Sequence, residues 1–173
     1  MKKLLVFVIL ICLVSLLGCS GNGNGVLPPP PPQEEPPLDL IREYTGGDNV
    51  TRWKNGIVTV CDITGNTKDI WKEINQIIDG PVVFSLTDDT EAMIGIEILD
   101  IEYPFFSGFG EDDFVFSWYG IIIHPTVDDI STYTQACLVG AGITKQKAKE
   151  GFSPSVKKVL YWLYRLEPGY SLL

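Results

Sequence analysis

The chain opens on Lys2 and Lys3, followed by an apolar run from Leu4 to Leu17 that stops at Gly18 and Cys19. A membrane-spanning helix needs about 20 apolar residues to cross the hydrocarbon core, and this run falls short. A basic head, a short apolar stretch and a small-residue end form the pattern of an export signal that is cut away. Residues 1–18 are therefore expected to leave, and whatever follows must fold outside the cytoplasm.

Leu16-Leu17-Gly18-Cys19 resembles the lipobox of bacterial lipoproteins. The resemblance implies that the Cys19 thiol is joined to diacylglycerol and becomes the first residue of the mature protein. Each buried methylene contributes about 0.8 kcal/mol and one chain binds only marginally, so a durable anchor takes more than one. The expected location is the cell membrane or outer membrane, facing away from the cytoplasm. Ser20 stands where an Asp would resemble an inner-membrane retention signal, which favours the outer membrane in a cell with two. The other readings of this segment are an ordinary cleaved signal with a chance cysteine and a retained span.

Residues 19–37 read as a tether. Its Gly/Asn part is flexible, and Pro28 to Pro32 with Pro36 and Pro37 favour polyproline II at about 3.1 Å per residue, so a globular domain over 38–173 would stand roughly 30 Å from the bilayer. Two of the 13 Lys and Arg lie inside the signal and all 22 Asp and Glu lie after it, so 11 cations face 22 carboxylates and the mature net charge is −11. Nucleic acid is a poor partner for such a chain. No Lys or Arg occurs from Glu73 to Thr144, whereas Lys145, Lys147, Lys149, Lys157, Lys158 and Arg165 crowd the C-terminal segment. That asymmetry suits a basic segment docked on an acidic body, a cationic partner, or two solvated faces.

Four cysteines are present. Cys12 leaves with the signal and Cys19 is taken by lipid, so Cys61 and Cys137 remain, either paired as an exported protein allows or buried as free thiols.

The patterning predicts an α+β fold. Ile57 to Ile63 reads as a strand ending in a turn, and Ile70, Ile74, Ile77 and Ile78 recur at helical spacing behind a cap at Asn66 or Thr67. Pro81 to Leu86, Met93 to Leu99 and Phe114 to Ile123 read as strands, with the Gly- and aromatic-rich interval Tyr103 to Asp113 expected to be a loop. Asp128-Asp129 offers a cap for a helix reaching Val139. Ser153 and Pro154 start a last helix with Val156, Val159, Leu160 and Leu163 on one face.

Thr51-Arg52-Trp53 before Ile57-Val58-Thr59-Val60, the helix carrying Trp71, Gly80-Pro81-Val82-Val83-Phe84, and Phe152-Ser153-Pro154 before Leu160-Tyr161-Trp162 together resemble matrixin-like domains of the metzincin class. The resemblance spans roughly residues 45–170 and implies a mixed sheet of four to five strands packed with three helices. An active member carries HExxHxxGxxH on its active-site helix, which here is Asp129 to Val139: two His and a later His bind Zn²⁺ and the Glu is the general base. With Gly140 as the motif glycine, the ligand and base positions hold Tyr133, Thr134, Cys137 and Ile143. With Gly142 they hold Gln135, Ala136, Val139 and Lys145. Neither register supplies a zinc site.

His124 is the single histidine. It and Cys137 are weak metal candidates, and any Ser/His or Cys/His pair would have to use it. Asp88 and Asp89, with Glu91, and Glu111, Asp112 and Asp113 are weak candidates for a structural calcium, which the resemblance also implies. The expected function is binding of a peptide or envelope partner without catalysis. Its alternatives are a zinc peptidase with an atypical site and a purely structural envelope module.

Overall fold

Three strands pair with the two edges of a single fourth strand, and that arrangement organises the molecule. The computed structural model describes residues 34–100, 102–103 and 105–173; the signal, Cys19 and most of the tether lie outside them. Residues 35–173 form one compact unit. Its elements are α1 (Leu38–Thr45), β1 (Arg52–Trp53), β2 (Gly56–Asp62), α2 (Lys68–Ile78), β3 (Val82–Leu86), β4 (Ile94–Ile98), β5 (Phe105–Asp112), β6 (Val115–Ile123), α3 (Ile130–Gly140), α4 (Lys145–Ala148) and α5 (Pro154–Leu163).

The sheet runs β3-β2-β4-β6-β5. β5 covers one edge of β6 along its length, so β1 and β4 divide the other: Arg52 and Trp53 sit beside Val115 and Phe116, and Ile94 to Ile98 beside Tyr119 to Ile123. Every pairing is parallel except the β5–β6 hairpin. The fold is thus mixed α/β, with a mostly parallel sheet of six strands and five helices among the described residues.

Alternation along the strands divides the sheet into two faces. Val58, Val60, Val82, Phe84, Ile94, Ile96, Ile121 and Ile123 are buried in the same core as Ile70, Trp71 and Ile74 of α2 and Val156 and Val159 of α5. Their strand neighbours Ile57, 68% exposed, and Val83 face the opposite way. No described helix covers that second face. It carries Cys61, Gly95, Gly120 and Gly108 in one row across β2, β4, β6 and β5.

Three expectations need correction. The interval read as a loop is β5. A run of Phe, Ser and Gly lacks β-branched residues, but Gly110 makes room for a neighbour: a Cβ there would lie 2.2 Å from Trp118 Nε1, because the indole lies over this strand. α1 forms where no helix is expected, burying Ile41 and Tyr44 and closing at Gly46, whose φ of 75° suits glycine. The counts of four to five strands and three helices rise to six and five through β1, β5, α1 and α4, of which the two-residue β1 and four-residue α4 are too short to show periodicity.

Caps are made as the residues dictate. Asp129 accepts from Thr132 N at 2.8 Å at the start of α3, and Ser153 accepts from Val156 N at the start of α5. At α2 the work falls to Asp62, which accepts from the backbone and hydroxyl of both Thr64 and Thr67. The basic C-terminal segment docks in part on carboxylates of α1 and α2: Lys147 pairs with Glu43, as well as with its neighbour Glu150, and Lys157 with Glu73. No described helix is long and apolar enough to cross a membrane.

Candidate functional site

The helix-side face of the β5–β6 hairpin, the C-terminal end of α3 and the turn after it enclose a groove of about 550 Å³. Its walls are aromatic. Trp53 packs on Phe116 at 5.6 Å between ring centroids, and Phe116 meets Phe109 edge-on at 5.4 Å. Phe116 reaches this face because the register slips between Gly110 and Glu111: Trp118 pairs with Gly110 and Phe116 with Glu111, leaving Ser117 as an extra residue in β6. Phe109 is 54% exposed and forms the rim.

Gly140 forms the floor. A Cβ there would stand 2.8 Å from Tyr119 Cε1, so only glycine lets α3 approach β6 this closely. Trp53 Nε1 donates to the Gly140 carbonyl at 2.7 Å, satisfying a helix-terminal acceptor. Tyr119 donates to Ala136 O at 3.3 Å, and burial pushes its phenol far above the ordinary range, so it stays neutral. Gly142, with φ of 99°, then turns the chain so that Ile143, Thr144 and Lys145 complete the wall.

The positions that would carry zinc chemistry are occupied otherwise. Tyr133 is buried with its hydroxyl at 3.4 Å from Val127 O, and Thr134 donates to Ile130 O within the helix. Cys137 is fully buried, and burial, aided by the Asp62 charge, pushes its thiol well above the ordinary value. Ile143 is apolar and buried. These side chains do not fit a zinc ion, which needs deprotonated thiolate, imidazole or carboxylate ligands converging on one point. In the alternative register, Gln135 Nε2 donates to Lys145 O and Ala136 and Val139 are apolar.

The other candidates do not meet at the groove. His124 follows β6 and contacts Thr126 and Asp100, away from the buried Cys137. Asp88 and Asp89 follow the C-terminal end of β3, whereas Glu111, Asp112 and Asp113 belong to the hairpin before β6. In parallel strands these are opposite ends of the sheet. No group of three or more His, Cys, Asp or Glu converges among the described residues. Cys61 and Cys137 are free thiols on opposite sides of the sheet, so the pairing that an exported protein allows is not made.

Sequence reasoning singled out Gly140 and Lys145 but missed Trp53, Phe109, Phe116 and Tyr119, which come from three different strands. The available signal was a density of glycine beside aromatics, read there as a loop. β5 pairs with no described strand other than β6, so its outer edge offers unpaired backbone donors and acceptors beside the groove. Searches against family models, curated proteins and solved structures return no match to this chain.

Proposed function

We propose that this chain is a lipid-anchored cell-envelope protein whose globular unit is a metzincin-like domain without zinc machinery, and that it holds an extended peptide segment of a partner rather than cutting it. The observation that carries the reading is the groove between the edge strand β5 and the C-terminal end of α3. In active members of the class that the sequence resembles, an extended substrate pairs with an exposed sheet edge beside the active-site helix. Here the edge and an apolar cavity of ligand size remain, while the motif positions carry Tyr133, Thr134, Cys137 and Ile143. Backbone pairing along β5 would supply affinity, and the aromatic cavity would select a side chain.

The test combines peptide binding, peptide cleavage and metal content on one preparation of full chain in detergent. Retention of intact peptides without stoichiometric zinc supports the reading. Hydrolysis abolished by a chelator would replace it with a zinc peptidase of atypical site. Failure to bind any peptide leaves the structural module. Anchoring is tested separately: Cys19→Ser should release the protein from the membrane fraction.

A further inference from the structure

Among the described residues, Lys145 is the one charged residue lining the groove. Its ammonium stands 4.4 Å from the centroid of the Phe105 ring. Among the described residues, which hold every Asp and Glu of the chain, no carboxylate pairs with it. Neighbouring cations are spent differently: Lys147 and Lys157 form ion pairs, and Arg165 donates to the carbonyls of Ile78, Asp79 and Tyr161. Several other lysines also form no ion pair among the described residues, so what sets Lys145 apart is its place in the groove wall over an aromatic ring.

Its position is set by two elements. The Lys145 carbonyl accepts from Gln135 Nε2 at 3.0 Å, which ties this backbone to α3. Beneath the ammonium, Phe105 is buried at the start of β5. Phe105, Ser107 and Phe109 share the groove face by strand alternation, so the charge and the Phe109–Phe116–Trp53 cluster stand about 13 Å apart along the strand.

We infer that the peptide held on β5 is one that sets an Asp or Glu side chain against Lys145 and an apolar side chain in the aromatic cavity, the two separated by an even number of positions. This rests on the peptide-binding reading above. Even spacing follows because residues i, i+2 and i+4 of an extended chain share a face, and a separation of four matches the span from Phe105 to Phe109. A side-chain carboxylate fits better than a free C-terminus. The N–H groups of Gly142, Ile143 and Thr144 beside Lys145 are already bonded to the carbonyls of Val139, Leu138 and Tyr44, so these three offer no nest to a terminal carboxylate.

The experiment uses fluorescent peptides with capped ends and a fixed central Phe, in which Glu, Ser or Lys is scanned through the flanking positions, titrated against full chain in detergent. Glu at even offsets should bind about two- to fivefold tighter than Ser, as expected of one solvent-accessible ion pair. That preference should shrink as ionic strength rises, and Lys145→Glu should transfer it to Lys peptides. Equal affinity for all three, or a Glu preference that survives Lys145→Glu or high salt, overturns the inference while leaving the groove reading intact. Absence of binding by every peptide overturns both. Lys145 is exposed, so its variant should fold, and the salt titration of the unaltered chain needs no variant.

Discussion

The Gly140 backbone passes so close beneath Tyr119 that a Cβ on residue 140 would stand 2.8 Å from ring atom Cε1. The ring cannot retreat, because its hydroxyl reaches Ala136 O and its edge is packed in the core. Gly140→Ala should therefore cost about 1–3 kcal/mol in urea unfolding. Gly110→Ala should cost less, although its nominal clash with Trp118 is shorter at 2.2 Å. The Trp118 side chain is half exposed and can swing into solvent. The reverse order of costs would show that the indole, not Tyr119, is the immobile partner.

Arg52 is buried, donating to Leu166 O, Trp53 O and Asn55 Oδ1, with Glu167 at 3.7 Å. Arg52→Met leaves those acceptors without donors and should destabilise by about 3 kcal/mol. Arg52→Lys should recover little of this, since a single ammonium cannot span the fork. Glu167→Gln should stay within about 1 kcal/mol of the parent, its carboxylate being solvent-exposed. Chemical denaturation of the three variants gives the comparison directly.

At the start of α3, hydrogen bonds from the Thr132 hydroxyl and then its backbone N–H hold the Asp129 carboxyl below its ordinary value of 3.8. A depressed folded-state value means that the stabilisation is complete above the unfolded value and disappears as pH falls through the folded one. Asp129→Ala should cost about 1 kcal/mol at neutral pH. The gap between it and the parent should close below about pH 4. A gap unchanged down to pH 2 would show that the carboxylate's charge is irrelevant there.

The two internal thiols should differ in reactivity. Cys61 lies partly exposed on the open face and Cys137 is fully buried with a raised thiol pKa. Alkylation of the native protein should modify Cys61 and spare Cys137 until denaturant is added. Mass analysis without reductant should find no bridge between them.

Much of this fold was legible because burial imposes periods. Ile70, Ile74 and Ile78 recur at helical spacing and all are buried in α2, and Ile94 and Ile96 alternate into the core from β4. Ser153-Pro154 marked the start of α5 to the residue. β5 was illegible for a physical reason: its Gly110 makes room for Trp118, a residue eight positions further on that folds back across it, and no local pattern records that contact. The groove was half legible. Gly140 stood out through the resemblance, but its aromatic walls are assembled by β1, β5 and β6, and only the pairing of Trp53 with Phe116 brings them together.

The shared edges of β6 impose an order on assembly. Among the described residues, β1 and β5 have no strand partner except β6, and β4 is joined to them only through it. A polypeptide emerging amino end first can complete no more than β2, β3 and β4 before Val115 appears. Until then Trp53 has no Phe116 to close on, and the aromatic groove is among the last features of the molecule to come into being.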